Sequence, residues 1–248
     1  MTSRWTSRAL AGLCVAALAN WTWADAAGKP WDPAMGTAAV KGKVKLNGAA
    51  PKRKPVDMGS DPACAGMHQE PLLTETTIVG DAGQIKNVFV WVKRGLEGWV
   101  FKAPAEPVVL EQKGCQYVPR VSGVMVGQSF KIRNSDPLAH NVHGMPKLNS
   151  EFNIGQATQG GENVVTFTEP EVCMKVKCDI HGWMVTYVAV VPHPFFAITA
   201  DDGTFALAGL PPGEYVIEAW HEKLGKSEQV VKVEDKESKD LEFTFEGK

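Results

Sequence analysis

Cys178-x-x-His181-x-x-Met184 sets a thiol, an imidazole and a thioether at short, regular spacing, and His140 in Pro137-Leu-Ala-His140-Asn-Val-His143 adds a second imidazole upstream. Two imidazoles and a thiolate around one ion, with a weak thioether beyond them, hold copper in either oxidation state. The chemistry implied is the transfer of one electron at one metal ion. Each residue also has a plainer reading. Cys178 could be an inert core thiol and Met184 a core filler, and the two histidines could be turn residues satisfied by backbone carbonyls. All four in this order favour the metal. A binuclear copper centre needs two cysteines four apart on the ligand loop, and Cys173 lies five before Cys178. No acid–base pair, nucleophile triad or open metal position accompanies the set, so no enzymatic activity is expected.

The elements that must position these residues read as β. Cys178 ends a predicted strand, Val172–Cys178, with Met174 and Val176 on its own face, so its sulfur belongs at the rim of an apolar core. Copper(II) would stabilise a thiolate there against the cost of burial. His181 lies on the loop that follows, with one ring edge expected to face solvent, ringed by Pro137, Leu138, Gly182 and Trp183. Met184 opens the next strand, Met184–Val191. Further strands are predicted at Thr37–Leu46, Asn87–Lys93, Val108–Glu111, Gly127–Asn134, His140–His143, Glu162–Phe167, Phe195–Thr199, Thr204–Leu207, Glu214–Trp220, Gln229–Val233 and Leu241–Phe245. The run NVFVWVK, continuously apolar, is expected to be buried on both faces. Asp61-Pro-Ala-Cys-Ala-Gly is the one helical turn, with Asp61 as its cap. Gly95–Pro107 reads as a connector and Glu234–Asp240 as a solvated loop. His143 should point away from His140. His68, His193 and His221 are scattered, and Trp91, Trp99 and Trp220 suit core or inter-domain packing. Arg120 has no evident role.

The ends and cysteines set the compartment. Arg4 and Arg8, the apolar run Ala9–Ala19 and Ala24-Asp-Ala26 form a cleavable secretory signal over residues 1–26. The apolar run is too short for a membrane span. A periplasmic or secreted protein is expected, where disulfides persist. Cys64, Cys115, Cys173 and Cys178 survive cleavage and allow three full pairings. If Cys178 holds copper, Cys64–Cys115 is the natural disulfide and Cys173 stays free. The alternative pairs Cys173 with Cys178 or with the distant thiols. The 248 residues are 44% hydrophobic and 22% charged, with a net charge of −2, so no footprint for nucleic acid is visible.

With these residues in view, the middle of the chain resembles the cupredoxins, in particular the amicyanin branch. PLAHNVHG is similar to the stretch carrying the first histidine ligand there, and CDIHGWM to the tight Cys-x-x-His-x-x-Met loop. Gly127-Gln, followed by Asn134, fits the strand leading to the first ligand. DGTFALAGLPPGEYVIEAW is similar to the carboxypeptidase regulatory-like, transthyretin-type sandwiches. The combination resembles exported cupredoxin-like or methylamine-utilisation proteins. The strand pattern predicts an all-β fold, and with the resemblance a Greek-key cupredoxin sandwich inserted in, or adjacent to, a second, transthyretin-like one. Insertion gives the apolar strands Thr37–Leu46 and Asn87–Lys93 partners in the C-terminal sandwich. The segments would be 27–104 (N-terminal, part of the regulatory-like sandwich), 105–192 (copper) and 193–248 (regulatory-like), the alternative being three consecutive small units. The resemblance implies one type 1 copper on His140, Cys178, His181 and Met184, and backbone support for the Cys178 sulfur from Asn141. The function implied is single-electron carriage between redox partners that dock transiently near His181. Two alternatives stand beside it: a copper carrier, store or sensor without electron traffic, and an interaction protein with a vestigial copper site.

Overall fold

The computed structural model describes residues 28–247, so the expected signal peptide lies outside them. The fold is all-β, built from facing sheets. One five-stranded sheet runs in the order Phe152–Gln156, His140–Met145, Glu171–Lys177, Val185–Val191 and Val121–Met125. A four-stranded sheet faces it, in the order Glu162–Thr166, Ser129–Asn134, Val108–Gln112 and Tyr117–Val118. Strand Ser129–Asn134 shows why the two sheets close. Phe130, Ile132 and Asn134 are buried while their neighbours are more exposed, the period of two of a strand with one face inward. Between the sheets lie Leu110, Phe130, Ile132, Val142, Phe167, Met174, Val176, Val188 and Val190.

A second pair of sheets draws on both ends of the chain. Ala38–Asn47 is central to one, antiparallel to Thr204–Leu210 and parallel to Ser238–Glu246. Phe89–Arg94 lies in the other, between Phe196–Ile198 and Gly213–His221, with Gly225–Val233 beyond. Strands from before residue 105 therefore share sheets with strands after 193. Their core holds Val40, Val44, Val90, Val92, Phe205, Leu207, Tyr215, Ile217 and Phe243.

The two sheet pairs meet across a third apolar cluster of Phe89, Val121, Ala189 and Val191, flanked by Trp91, Cys173, Phe196 and Trp220. Phe89 faces this junction while Val90 and Val92 face the neighbouring core, so the NVFVWVK run is buried on both sides. Gly123 is required here: a Cβ would stand 2.3 Å from the Phe196 ring. Arg120 crosses the same junction. Its guanidinium donates to both carboxylate oxygens of Glu222, each at 2.8 Å, and to the Val185 carbonyl at 2.7 Å.

Five strands were not anticipated: Lys29–Pro30, Trp99–Val100, Tyr117–Val118, Val121–Met125 and Phe152–Gln156. The second of these, paired with the first, corrects in part the reading of Gly95–Pro107 as a connector. Val121–Met125 is wholly buried, so it carries no alternation to read. The reading of Glu234–Asp240 as a solvated loop is corrected in part, because the last strand already begins at Ser238. Among the described residues no helix is long and apolar enough to cross a membrane.

Candidate metal centre

Backbone hydrogen bonding shapes the loop that carries three of the four expected ligands. The N–H of Cys178 donates to the Met184 carbonyl at 3.1 Å, and the N–H of Met184 donates to the His181 carbonyl at 2.9 Å. The loop thus closes tightly between strands Glu171–Lys177 and Val185–Val191. His140 opens the neighbouring strand, which pairs with Glu171–Lys177. Adjacent strands lie about 4.8 Å apart, so the second imidazole arrives beside the loop.

The ligating atoms of His140, Cys178 and His181 all lie within 4.8 Å of one another, and all three residues are buried. Nδ1 of His140 stands 2.9 Å from Nδ1 of His181, and Cys178 Sγ stands 3.8 Å from that same His181 nitrogen. Two ring nitrogens bound to one ion at about 2.0 Å stand roughly 3 Å apart. The separation of these two fits a shared ion. Met184 is buried in the same apolar cluster as Cys178. Two imidazoles and a thiol in a water-poor pocket form a donor set suited to copper.

Asn141 ties the His140 strand to the Cys178 loop, through its side chain rather than the backbone contact anticipated. Its Oδ1 accepts from the Asp179 N–H at 2.7 Å and lies 3.2 Å from Cys178 Sγ. The backbone N–H directed at that sulfur is His181's, at 3.4 Å. Tyr117 donates its hydroxyl to the Asn141 carbonyl, and burial of that phenol pushes its pKa up.

A carboxylate meets the outer nitrogen of each imidazole. Nε2 of His140 lies 2.9 Å from Asp136 Oδ2, and Nε2 of His181 lies 3.0 Å from Asp61 Oδ2. Burial lowers the pKa of His140 despite the Asp136 carboxylate beside it. The His181 contact lowers the pKa of Asp61. Asp61 caps the helical turn Pro62–Gly66, as its position before Pro62 predicts. That turn carries Cys64, bonded to Cys115 in the disulfide considered from the cysteine count. Trp183 completes the cover, donating from Nε1 to the Cys115 carbonyl at 3.0 Å with its ring centroid 5.1 Å from that of His181.

This cover corrects one expectation. The His181 ring does not present an edge to solvent: the residue is 2% exposed, because Asp61 and its turn sit over Nε2. Around it Pro137, Ala139, Ile180 and Gly182 are exposed. A cavity of about 670 Å³ is lined by Val56, Leu72, Tyr117, Trp183 and Met184 among others.

Asp61 and Asp136 were not singled out as site residues. Asp136 stands four residues before His140, a local signal that could have been followed. Asp61 is 120 positions from His181 and gives no such signal. The remaining histidines have other partners. His143 faces Asp179 and Glu151 at 2.9 and 2.7 Å, and chiefly the Glu151 contact raises its pKa. His68 and His193 bond to the carbonyls of Gly114 and Val92. Cys173 is a free thiol in the junction between the sheet pairs, and burial pushes its pKa well up.

No protein-family model matches the chain, and no curated protein is significantly similar to it. Part of the fold is similar to solved structures. The copper-containing nitrite reductase of Thermus scotoductus is 22% identical over 34% of this chain and 22% of its own, at a TM-score of 0.32. The chain thus spans about a fifth of that enzyme's length. The purple cupredoxin of Nitrosopumilus maritimus is 21% identical over 34% of this chain and 98% of its own, at 0.29. A mutant of amicyanin in its Cu(I) form is 22% identical over 35% and 85%, at 0.31. Such overall similarity is slight, and the reading of the site rests on its own geometry.

Proposed function

We propose that this is an exported, non-enzymatic carrier of single electrons, with one type 1 copper held by His140, Cys178, His181 and Met184. The observation that carries the reading is the convergence of two Nδ1 atoms and one thiol sulfur in a buried pocket. Copper, when bound, supplies the one-electron couple. The protein holds the donors in place: the loop is closed on itself, His140 is fixed by Asp136, His181 by Asp61, and Asn141 spans the two segments. Donors held this firmly change little between oxidation states.

A redox partner would dock transiently on the rim near His181, where Pro137, Ala139, Ile180 and Gly182 are exposed. Contacts of this kind are small. The copper-bearing sandwich is read as residues 105–192, inserted in a host of transthyretin type made from residues 27–104 and 193–248. The covered Nε2 of His181 favours a second reading, copper retention without electron traffic.

Visible absorption and EPR after Cu(II) addition, with Cys178→Ser as control, separate these. An intense thiolate-to-copper band and narrow hyperfine splitting, both absent from the variant, are the result expected of an electron carrier. Tight Cu(I) binding without that band assigns the site to carriage or storage. A wild-type protein that binds neither ion overturns both readings and leaves an interaction protein.

A further inference from the structure

We propose that Asp61 and Asp136 are positioning residues for the metal, fixing both imidazoles in one tautomer and favouring the cupric form through their charge. The inference rests on the copper reading above and deepens it.

The argument begins with hydrogen counts. A neutral imidazole carries one N–H, and an ionised carboxylate only accepts. Nε2 of His140 faces Asp136 at 2.9 Å and Nε2 of His181 faces Asp61 at 3.0 Å, so each ring places its hydrogen there. Both Nδ1 lone pairs then turn inward and confront each other at 2.9 Å. Two lone pairs repel at that distance unless a cation lies between them. The carboxylates therefore present two nitrogen donors, correctly protonated, to a positive charge in a buried site.

The two carboxylates are themselves held. Asp136 accepts the backbone N–H of Gly114 at 2.6 Å and of Cys115 at 2.8 Å. Asp61 uses Oδ1 to accept the N–H of Ala63 at 3.0 Å and of Cys64 at 3.3 Å, leaving Oδ2 for His181. The Cys64–Cys115 bond joins these two anchor points covalently. Both imidazoles are thus oriented by one braced unit, half of which comes from outside the copper-bearing sheets.

A carboxylate behind a ligating imidazole raises its basicity, and losing such a partner typically costs about 10–100-fold in metal affinity. The added negative charge acts more strongly on Cu(II) than on Cu(I). Each tenfold difference between the two losses raises the one-electron potential by about 59 mV.

Two substitutions isolate the effect. Asp61→Ser keeps a good helix cap but is too short to reach His181, while Asp61→Asn keeps the reach and removes the charge. Cu(II) and Cu(I) affinities by chelator competition, the potential of the copper-loaded protein, and ¹⁵N chemical shifts of His181 in the apoprotein are the readouts. Asp202→Asn, in a distant turn, serves as control. The inference expects Asp61→Ser to lose Cu(II) affinity about 10–100-fold and Cu(I) affinity less, to raise the potential, and to release His181 from the Nε2–H tautomer. Asp61→Asn should fall between it and wild type. Equal losses for both ions, or a potential and tautomer unchanged in Asp61→Ser while wild type binds copper, overturn it. A wild-type protein that binds no copper instead sinks the copper reading, and the tautomer measurement still reports on Asp61.

Discussion

His221 shows how a single buried ring makes stability depend on pH. It is 2% exposed, its Nδ1 accepts from the N–H groups of Lys223 and Leu224, and burial, reinforced by Arg120 and Lys223, lowers its pKa to about 4. The unfolded ring takes a proton near pH 6.5, so between about pH 6.5 and 4 the unfolded state binds more protons than the folded one. The stability contribution is complete above that window and lost as pH falls through it. Urea unfolding of the apoprotein should show a decline on the order of 2–3 kcal/mol from this residue, and His221→Gln should flatten that part of the profile. At this scale the proposed ligands were singled out by the sequence, and the residues that hold them were not. Cys178, His181 and Met184 stand out by spacing because they share one short loop. Asp61 acts on His181 across 120 positions, and only folding brings them together.

At the scale of elements, the turn Pro62–Gly66 matters more than its five residues suggest. Its cap chemistry was readable from Asp61 and Pro62, but its place over the His181 ring was not, since nothing local specifies the surface a turn lands on. The Cys64–Cys115 bond decides that place by closing a 51-residue separation. In a chain-entropy account such a closure is worth roughly 4 kcal/mol. Cys64→Ser/Cys115→Ser should lower the urea-unfolding free energy by about 2–5 kcal/mol; an unchanged midpoint would mean that apolar packing of Val56, Met58 and Leu72 already holds the segment down. Alternation found the strand expected at Thr37–Leu46, which the structure places at Ala38–Asn47. Val121–Met125 was missed because both its faces are covered and its central Ser122-Gly123 imitates a loop.

Across the whole molecule, the Arg120–Glu222 pair is the polar clasp between the two sheet pairs. Both side chains are nearly inaccessible, at 11% and 5% exposure. The sequence hinted at no role for Arg120, because its partner lies 102 positions downstream. Arg120→Ala leaves a buried carboxylate uncompensated and should cost about 3–5 kcal/mol. Replacing both partners with apolar residues, as in Arg120→Met/Glu222→Leu, should recover much of that loss. A double-mutant cycle by chemical denaturation measures the difference, and a double variant no better than Arg120→Ala would contradict the desolvation argument.

The parallel ladder joining Ala38–Asn47 to Ser238–Glu246 also constrains the order of events during synthesis. Apart from a short bridge from Val44–Leu46 to residues 83–85, both strand neighbours of that early strand lie beyond residue 203, so most of its length stays unpaired until late in synthesis. An unpaired strand of this kind templates association with other chains, and non-local pairings form slowly. Closure of this sheet therefore waits on the last strands of the chain, and its early strand is the segment most open to association before then.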